Sequence, residues 1–171
     1  QHDFEKFFSQ YSQEKANVLY CTGKALMAVQ DYSMAKDYLK EAGSLDGDNY
    51  NIFRDLAICQ AWEEDYDQAR ESLNRARYLG LPDTDGALVE GQIAYMQEDY
   101  AAAISALTQA LEIDDADYET LNLLAHSYRL SGDYDNALKI FQQIVDTFPG
   151  TRRATQAQRY VDNGGRGFDN L

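Results

Sequence analysis

Apolar residues recur along this chain at helical spacing, in short runs broken by Asp-Tyr steps. Leu121, Leu124, Ala125 and Tyr128 stand at i, i+3, i+4 and i+7, the stripe of an amphipathic helix. The runs come in pairs, and the pairs repeat. Gln30-Asp31-Tyr32 is followed by Ala35, Glu64-Asp65-Tyr66 by Ala69, Glu98-Asp99-Tyr100 by Ala103, and Gly132-Asp133-Tyr134 by Ala137. One constant interval separates Tyr32 from Tyr66, Tyr66 from Tyr100, and Tyr100 from Tyr134. Nine positions before them lie Gly23, Ala57, Gly91 and Ala125; four after each Ala come Leu39, Leu73, Leu107 and Phe141, and three further on Ala42, Ala76, Ala110 and Ile144. Four units follow without insertion: 16–49, 50–83, 84–117 and 118–151.

These spacings have a direct physical reading. A small residue on the first helix of a unit lets the second approach closely, and the Ala on the second helix does the same in return. The large apolar residue one turn later fills the space between neighbouring units. Asp-Tyr supplies a polar turn whose Asp can cap the second helix. Each unit is a helical hairpin that cannot bury its apolar face alone and must stack on the next.

This pattern resembles the tetratricopeptide repeat family, with W-x2-L-G-x2-Y, then A-x3-F, then P, in a repeat of the same length as these units. Unit four carries Leu121, Leu124, Ala125, Tyr128, Ala137, Phe141 and Pro149 in the family slots, and unit one Leu19, Gly23, Leu26, Ala35, Leu39 and Ala42, with Thr22 where Leu is usual. Unit two has Phe53, Leu56, Ala57, Ala69, Leu73 and Ala76, with Gln60 in the Tyr slot and Pro82 one place late. Unit three departs most, with Ala87 and Glu90 in two leading apolar slots, so a rotated or loosely packed first helix is expected there. The resemblance spans positions 16–151. It implies an all-α fold, a right-handed α-α superhelix or solenoid of four helical hairpins.

The flanks are expected to act as caps. In residues 1–15, Phe4, Phe7, Phe8 and Tyr11 have helical spacing, which predicts a packing helix covering the first repeat. Thr151 is placed to cap a last helix over residues 152–163, with Ala154, Ala157 and Val161 inward and three arginines outward. Residues 164–171 read as a flexible tail after Asn163-Gly164-Gly165.

Charge changes the picture next. The 15 Lys and Arg against 29 Asp and Glu give a net charge of −14, which argues against nucleic acid and anionic membranes as partners. The end of the chain, 152–171, carries four arginines against Asp162 and Asp169, net 4 − 2 = +2, so the part from 1 to 151 holds −14 − 2 = −16. No apolar stretch is long enough for a membrane span. A cytoplasmic protein is the default expectation, with an exported or lipid-anchored envelope protein whose leader has been removed as the alternative. Cys21 and Cys59 lack CxxC spacing and stand far from His2 and His126, so both are expected to be core thiols and no metal or cofactor is implied.

No catalytic constellation emerges. Gly164-Gly165-Arg166-Gly167 follows a helix and lacks the Lys-Ser/Thr pair of a phosphate loop, and His126 has no Ser or Cys at a recognisable spacing. The expectation is a non-catalytic module. The resemblance implies a concave surface lined by first helices, exposed at unit positions 2, 5, 9, 12 and 13. Those slots give the candidate peptide-binding residues Tyr20, Lys24, Arg54, Ile58, Trp62, Leu88, Gln92, Tyr95, Met96, Asn122, His126 and Arg129. Lys24, Arg54 and Arg129 are the only basic residues of the first helices, and all three fall in inner slots. They would suit a protein or peptide ligand with an acidic group and an apolar anchor. A structural account stands beside this: the cations pair with Asp55, Asp85 or Glu119, while Trp62 and Tyr95 finish the packing between helices. The Lys, Asn and Arg clamp with which some family members grip the C-terminal carboxylates of heat-shock chaperones is absent. Units one to three show Tyr20 and Lys24, Asp55, then Asp85 and Val89 in its slots. The alternative reading is a structural spacer or homo-oligomerising segment of a larger scaffold or envelope protein.

Overall fold

The computed structural model describes residues 2–166, and side chains from Gln10 onward. Among the described residues the secondary structure is entirely helical, and the chain divides into two units, residues 1–82 and 83–171.

The first unit holds α1 (His2–Ala28), α2 (Tyr32–Leu45), α3 (Tyr50–Trp62) and α4 (Tyr66–Tyr78). Each helix packs on its sequence neighbour, and α1 also lies beside α3. Leu19, Leu39, Ile52, Leu56 and Cys59 form one buried cluster across α1, α2 and α3. Residues before 16 continue directly into the first helix of repeat one, so α1 is a single helix with no break. Tyr11 is 59% exposed, so it does not cover the first repeat; the side chains of Phe4, Phe7 and Phe8 lie outside the described residues.

The second unit holds α5 (Asp83–Met96), α6 (Tyr100–Ile113), α7 (Tyr118–Ser131), α8 (Tyr134–Thr147) and α9 (Arg152–Asp162). Here α7 packs against both α5 and α6, α8 against α7, and α9 against α8. Leu121, Ala125, Ala137, Phe141, Ile144 and Ala157 build the core of α7, α8 and α9. The first helix of the third repeat, α5, is not loose as expected. Val89 and Ile93 are buried, and a Cβ on Gly91 would stand 2.6 Å from Leu107 Cγ. Close approach replaces the apolar bulk missing at Ala87 and Glu90. The same slot works the same way in α1, where a Cβ on Gly23 would reach Leu39 Cγ at 2.8 Å.

The Asp-Tyr turns are N-caps. Asp31, Asp65, Asp99 and Asp133 accept from the backbone N–H groups of Met34, Gln68, Ala102 and Asn136, satisfying orphan donors of the second helices. Thr151 caps α9 through Ala154. After α9 the chain turns back onto α8: Gly165 is buried where a Cβ would collide with the Tyr134 carbonyl, and the Arg166 guanidinium sits 5.2 Å from the Tyr134 ring centre. Of the expected tail 164–171, residues 167–171 lie outside the described residues.

One expectation fails at Cys21, which is exposed, whereas Cys59 is buried. Cys21 occupies unit position 6, and in α3 the same position is Asp55, buried with the Tyr20 hydroxyl of α1 bonded to it. This slot faces the first helix of the preceding repeat, and no helix precedes α1 among the described residues. Burial pushes the Cys59 thiol up to about 12, so it is a packing group and not a nucleophile.

Candidate functional site

In the first unit the inner slots of α1 and α3 meet at a buried carboxylate. Asp55, 3% exposed, receives the Tyr20 hydroxyl at 3.1 Å and the Arg54 Nε at 2.8 Å. A buried charge of this kind is tolerable only when paired and hydrogen-bonded. Tyr20, held there and partly buried, is pushed up to about 12, with burial the larger cause and the Asp55 charge the next. The Lys24 ammonium lies 5.7 Å from the Tyr20 ring centre. Tyr20, Lys24 and Arg54 thus lie near one another around Asp55. The ion pair also gives Arg54 the structural role set beside the ligand reading. Ile58 is half-buried, and Trp62, 51% exposed, stacks flat on Tyr32 at 4.7 Å.

In the second unit Leu88 packs into the apolar cluster around Leu107, and Met96 is half-buried. Gln92 Nε2 donates to Glu119 at 2.7 Å, linking α5 to α7. Tyr95 meets Tyr100 edge to face at 5.9 Å, and burial raises its hydroxyl above the usual phenol range. Asn122 and His126 line a cavity of about 420 Å³ between α7, α8 and α9. His126 stands edge-on to Phe141 and to Tyr160, whose rings stack on one another at 4.4 Å. Arg129 Nε donates to His126 Nδ1 at 3.4 Å, so the neutral ring carries its proton on Nε2. Burial first, and the Arg129 charge second, push His126 down to about 4. His126 is therefore neutral at pH 7 and is no cationic contact for a ligand.

Gln156, Arg159 and Tyr160 of α9 line the same cavity and are absent from the residues that the repeat pattern singles out. The signal is present in the sequence, since counting the repeat register on from 152 puts Arg153, Gln156 and Tyr160 in inner slots 2, 5 and 9. An α9 taken purely as a polar cap conceals it. Arg153 lies over the Tyr118 ring at 4.2 Å. Among the described residues no group of His, Cys, Asp and Glu is placed to hold a metal, and no helix is long and apolar enough to cross a membrane.

Comparison with known proteins agrees with the repeat. The family described as "Tetratricopeptide repeat" matches residues 26–90 and 94–159. BBSome complex member BBS4 of Bos taurus is 25% identical over 142 residues, covering 83% of this chain and 26% of its own length. A DnaJ homolog subfamily C member 3 homolog of Dictyostelium discoideum is 25% identical over 164 residues, 82% of this chain and 33% of its own. The chain thus spans about a third or less of these curated relatives. Among solved structures, YrrB, described as a TPR protein with an unusual peptide-binding site, superposes with a TM-score of 0.58 at 20% identity, over 94% of this chain and 84% of that one. With repeats matched over most of its length and every described element a helix, the chain belongs to the tetratricopeptide repeat family, whose members are protein-interaction modules.

Proposed function

We propose that this chain is a non-catalytic module that binds a peptide segment of a partner protein on the inner slots of its first helices. The observation that carries this is the fixing of inner-slot cations beside aromatic surface in an otherwise acidic chain. Lys24 rests on Tyr20, Arg54 is held by Asp55, and Arg129 is held by His126. Oriented cations bind carboxylates with less loss of side-chain freedom than mobile ones. Trp62, flat against Tyr32 with half its surface open, is the apolar anchor site. YrrB lends support as a neighbour of the same fold whose description names a peptide-binding site.

Affinity capture from native extract tests the reading. Arg54→Glu is unsuitable because it would place a second acid against buried Asp55, so Lys24→Glu with Arg129→Glu is the variant of choice. The double variant is expected to lose a partner that the wild type captures, with helical circular dichroism unchanged. Undiminished capture by the folded variant sinks the assignment.

A further inference from the structure

The cavity between α7, α8 and α9 has a chemistry of its own. At about 420 Å³ it falls within the range of small-ligand sites. The faces of Phe141 and Tyr160 are stacked on each other, and His126 abuts both, so aromatic surface is largely committed to packing. Its polar lining is made of the Asn122 and Gln156 amides, the Arg159 guanidinium, the Tyr118 and Tyr160 hydroxyls and the His126 ring, whose Nδ1 already accepts from Arg129. Among the described residues the donors of Asn122, Gln156, Arg159 and His126 Nε2 meet no hydrogen-bond acceptor, and no carboxylate pairs with Arg159. No Asp or Glu lines the cavity, in a chain with 29 of them. A cavity that holds one arginine and two amides with donors to spare, and no acid, matches a ligand that accepts hydrogen bonds and carries negative charge.

We propose that this cavity is a subsite for an acidic side chain, Asp or Glu, of a bound peptide. Arg159 pairs with the carboxylate, and Asn122 and Gln156 donate to it or to the adjoining peptide carbonyl. The inference rests on the peptide-binding reading and deepens it, since slots 5 and 9 of the last full repeat and of α9 form the walls. It adds α9 to the recognition surface. It also gives the mildly basic end of an acidic chain a purpose.

The test is titration of the ¹⁵N-labelled chain with the blocked tripeptide Ac-Leu-Glu-Leu-NH2 and its neutral twin Ac-Leu-Gln-Leu-NH2, followed by two-dimensional NMR. The acidic peptide is expected to shift the Asn122 and Gln156 side-chain amides and the Arg159 Nε–H saturably, with the neutral twin roughly tenfold weaker, as loss of a charge-assisted contact dictates. Arg159→Gln, at an exposed position that leaves the fold intact, should bring the acidic peptide down to the neutral level. Equal shifts from the two peptides, or undiminished binding by Arg159→Gln, overturn the proposal. So does sodium acetate matching the acidic peptide at equal concentration, which would mark a general anion site. Shifts at Lys24 or Trp62 without any at the cavity overturn the subsite alone and leave peptide binding standing. No shift anywhere also overturns the subsite, and peptide binding is then judged by the capture experiment.

Discussion

The residue before each Asp-Tyr step closes one helix while the Asp opens the next. Gln30, Glu64 and Glu98 have φ of 64°, 62° and 60°, and Gly132 in the same slot has 87°. In every case the following Asp donates its backbone N–H to a carbonyl five positions earlier, Leu26, Gln60, Ala94 or Tyr128, at 2.9 to 3.0 Å. This is the long bond of a Schellman closure, which requires a left-handed residue at that place. For a side chain with a Cβ the left-handed region costs roughly 1–2 kcal/mol, partly offset for glycine by its larger unfolded-state entropy. Glu98→Gly should therefore raise the unfolding free energy by about 0.5–1 kcal/mol, and Gly132→Glu should lower it by about 1 kcal/mol. Urea unfolding of the two variants measures this. A lower midpoint for Glu98→Gly would mean that the glutamate side chain contributes more than its backbone strain removes.

At the scale of the helix, contacts that follow from periodicity were legible and those that follow from position in the stack were not. Gly23 against Leu39 and Gly91 against Leu107 could be read as two columns in a fixed register, and the structure joins them. Gln60, which breaks the family pattern, is buried and lies 2.7 Å from the Ser72 hydroxyl, a partner no single-helix pattern reveals. Cys21 was misread because its slot is one that a first helix of a preceding repeat covers, and no helix precedes α1 among the described residues. The cavity was half-read, through Asn122 and His126, because its other wall is α9. His126 joins these helices, touching Phe141 of α8 and Tyr160 of α9 from α7. Its folded pKa of about 4 lies below the unfolded 6.5, so its neutral form stabilises the fold fully above pH 6.5. That stability is lost as the pH falls from 6.5 through 4, because the unfolded chain takes up the proton first. Between pH 7 and pH 4.5 the wild type should lose about 2 kcal/mol more than His126→Gln, whose side chain does not titrate. Equal losses in chemical unfolding at the two pH values would show that His126 protonates as freely folded as unfolded.

For the whole molecule the dominant electrostatic fact is like charge. With 29 acids and 15 bases, pairing one to one would leave 29 − 15 = 14 carboxylates over. Pairs such as Lys36–Glu63 and Arg54–Asp55 neutralise some of the remainder. The excess sits between positions 1 and 151, on helices held together largely by small and aliphatic side chains such as Ala35, Leu39, Ala103 and Leu107. Folding brings these charges closer than they are in the expanded chain, so repulsion works against the native state. Salt shortens the reach of that repulsion from about 30 Å at 0.01 M to about 10 Å at 0.1 M. The same salt weakens exposed pairs such as Lys15–Glu41, but these contribute little. Net screening should favour folding by about 1 kcal/mol, which for a chain of this length raises the melting temperature by about 2–4 °C. Thermal unfolding in sodium chloride from about 0.01 to 0.1 M at pH 7 tests this. A melting temperature that falls with salt would mean that attractive pairs outweigh the excess acid, and that the negative charge has no part in limiting the stability of the repeats.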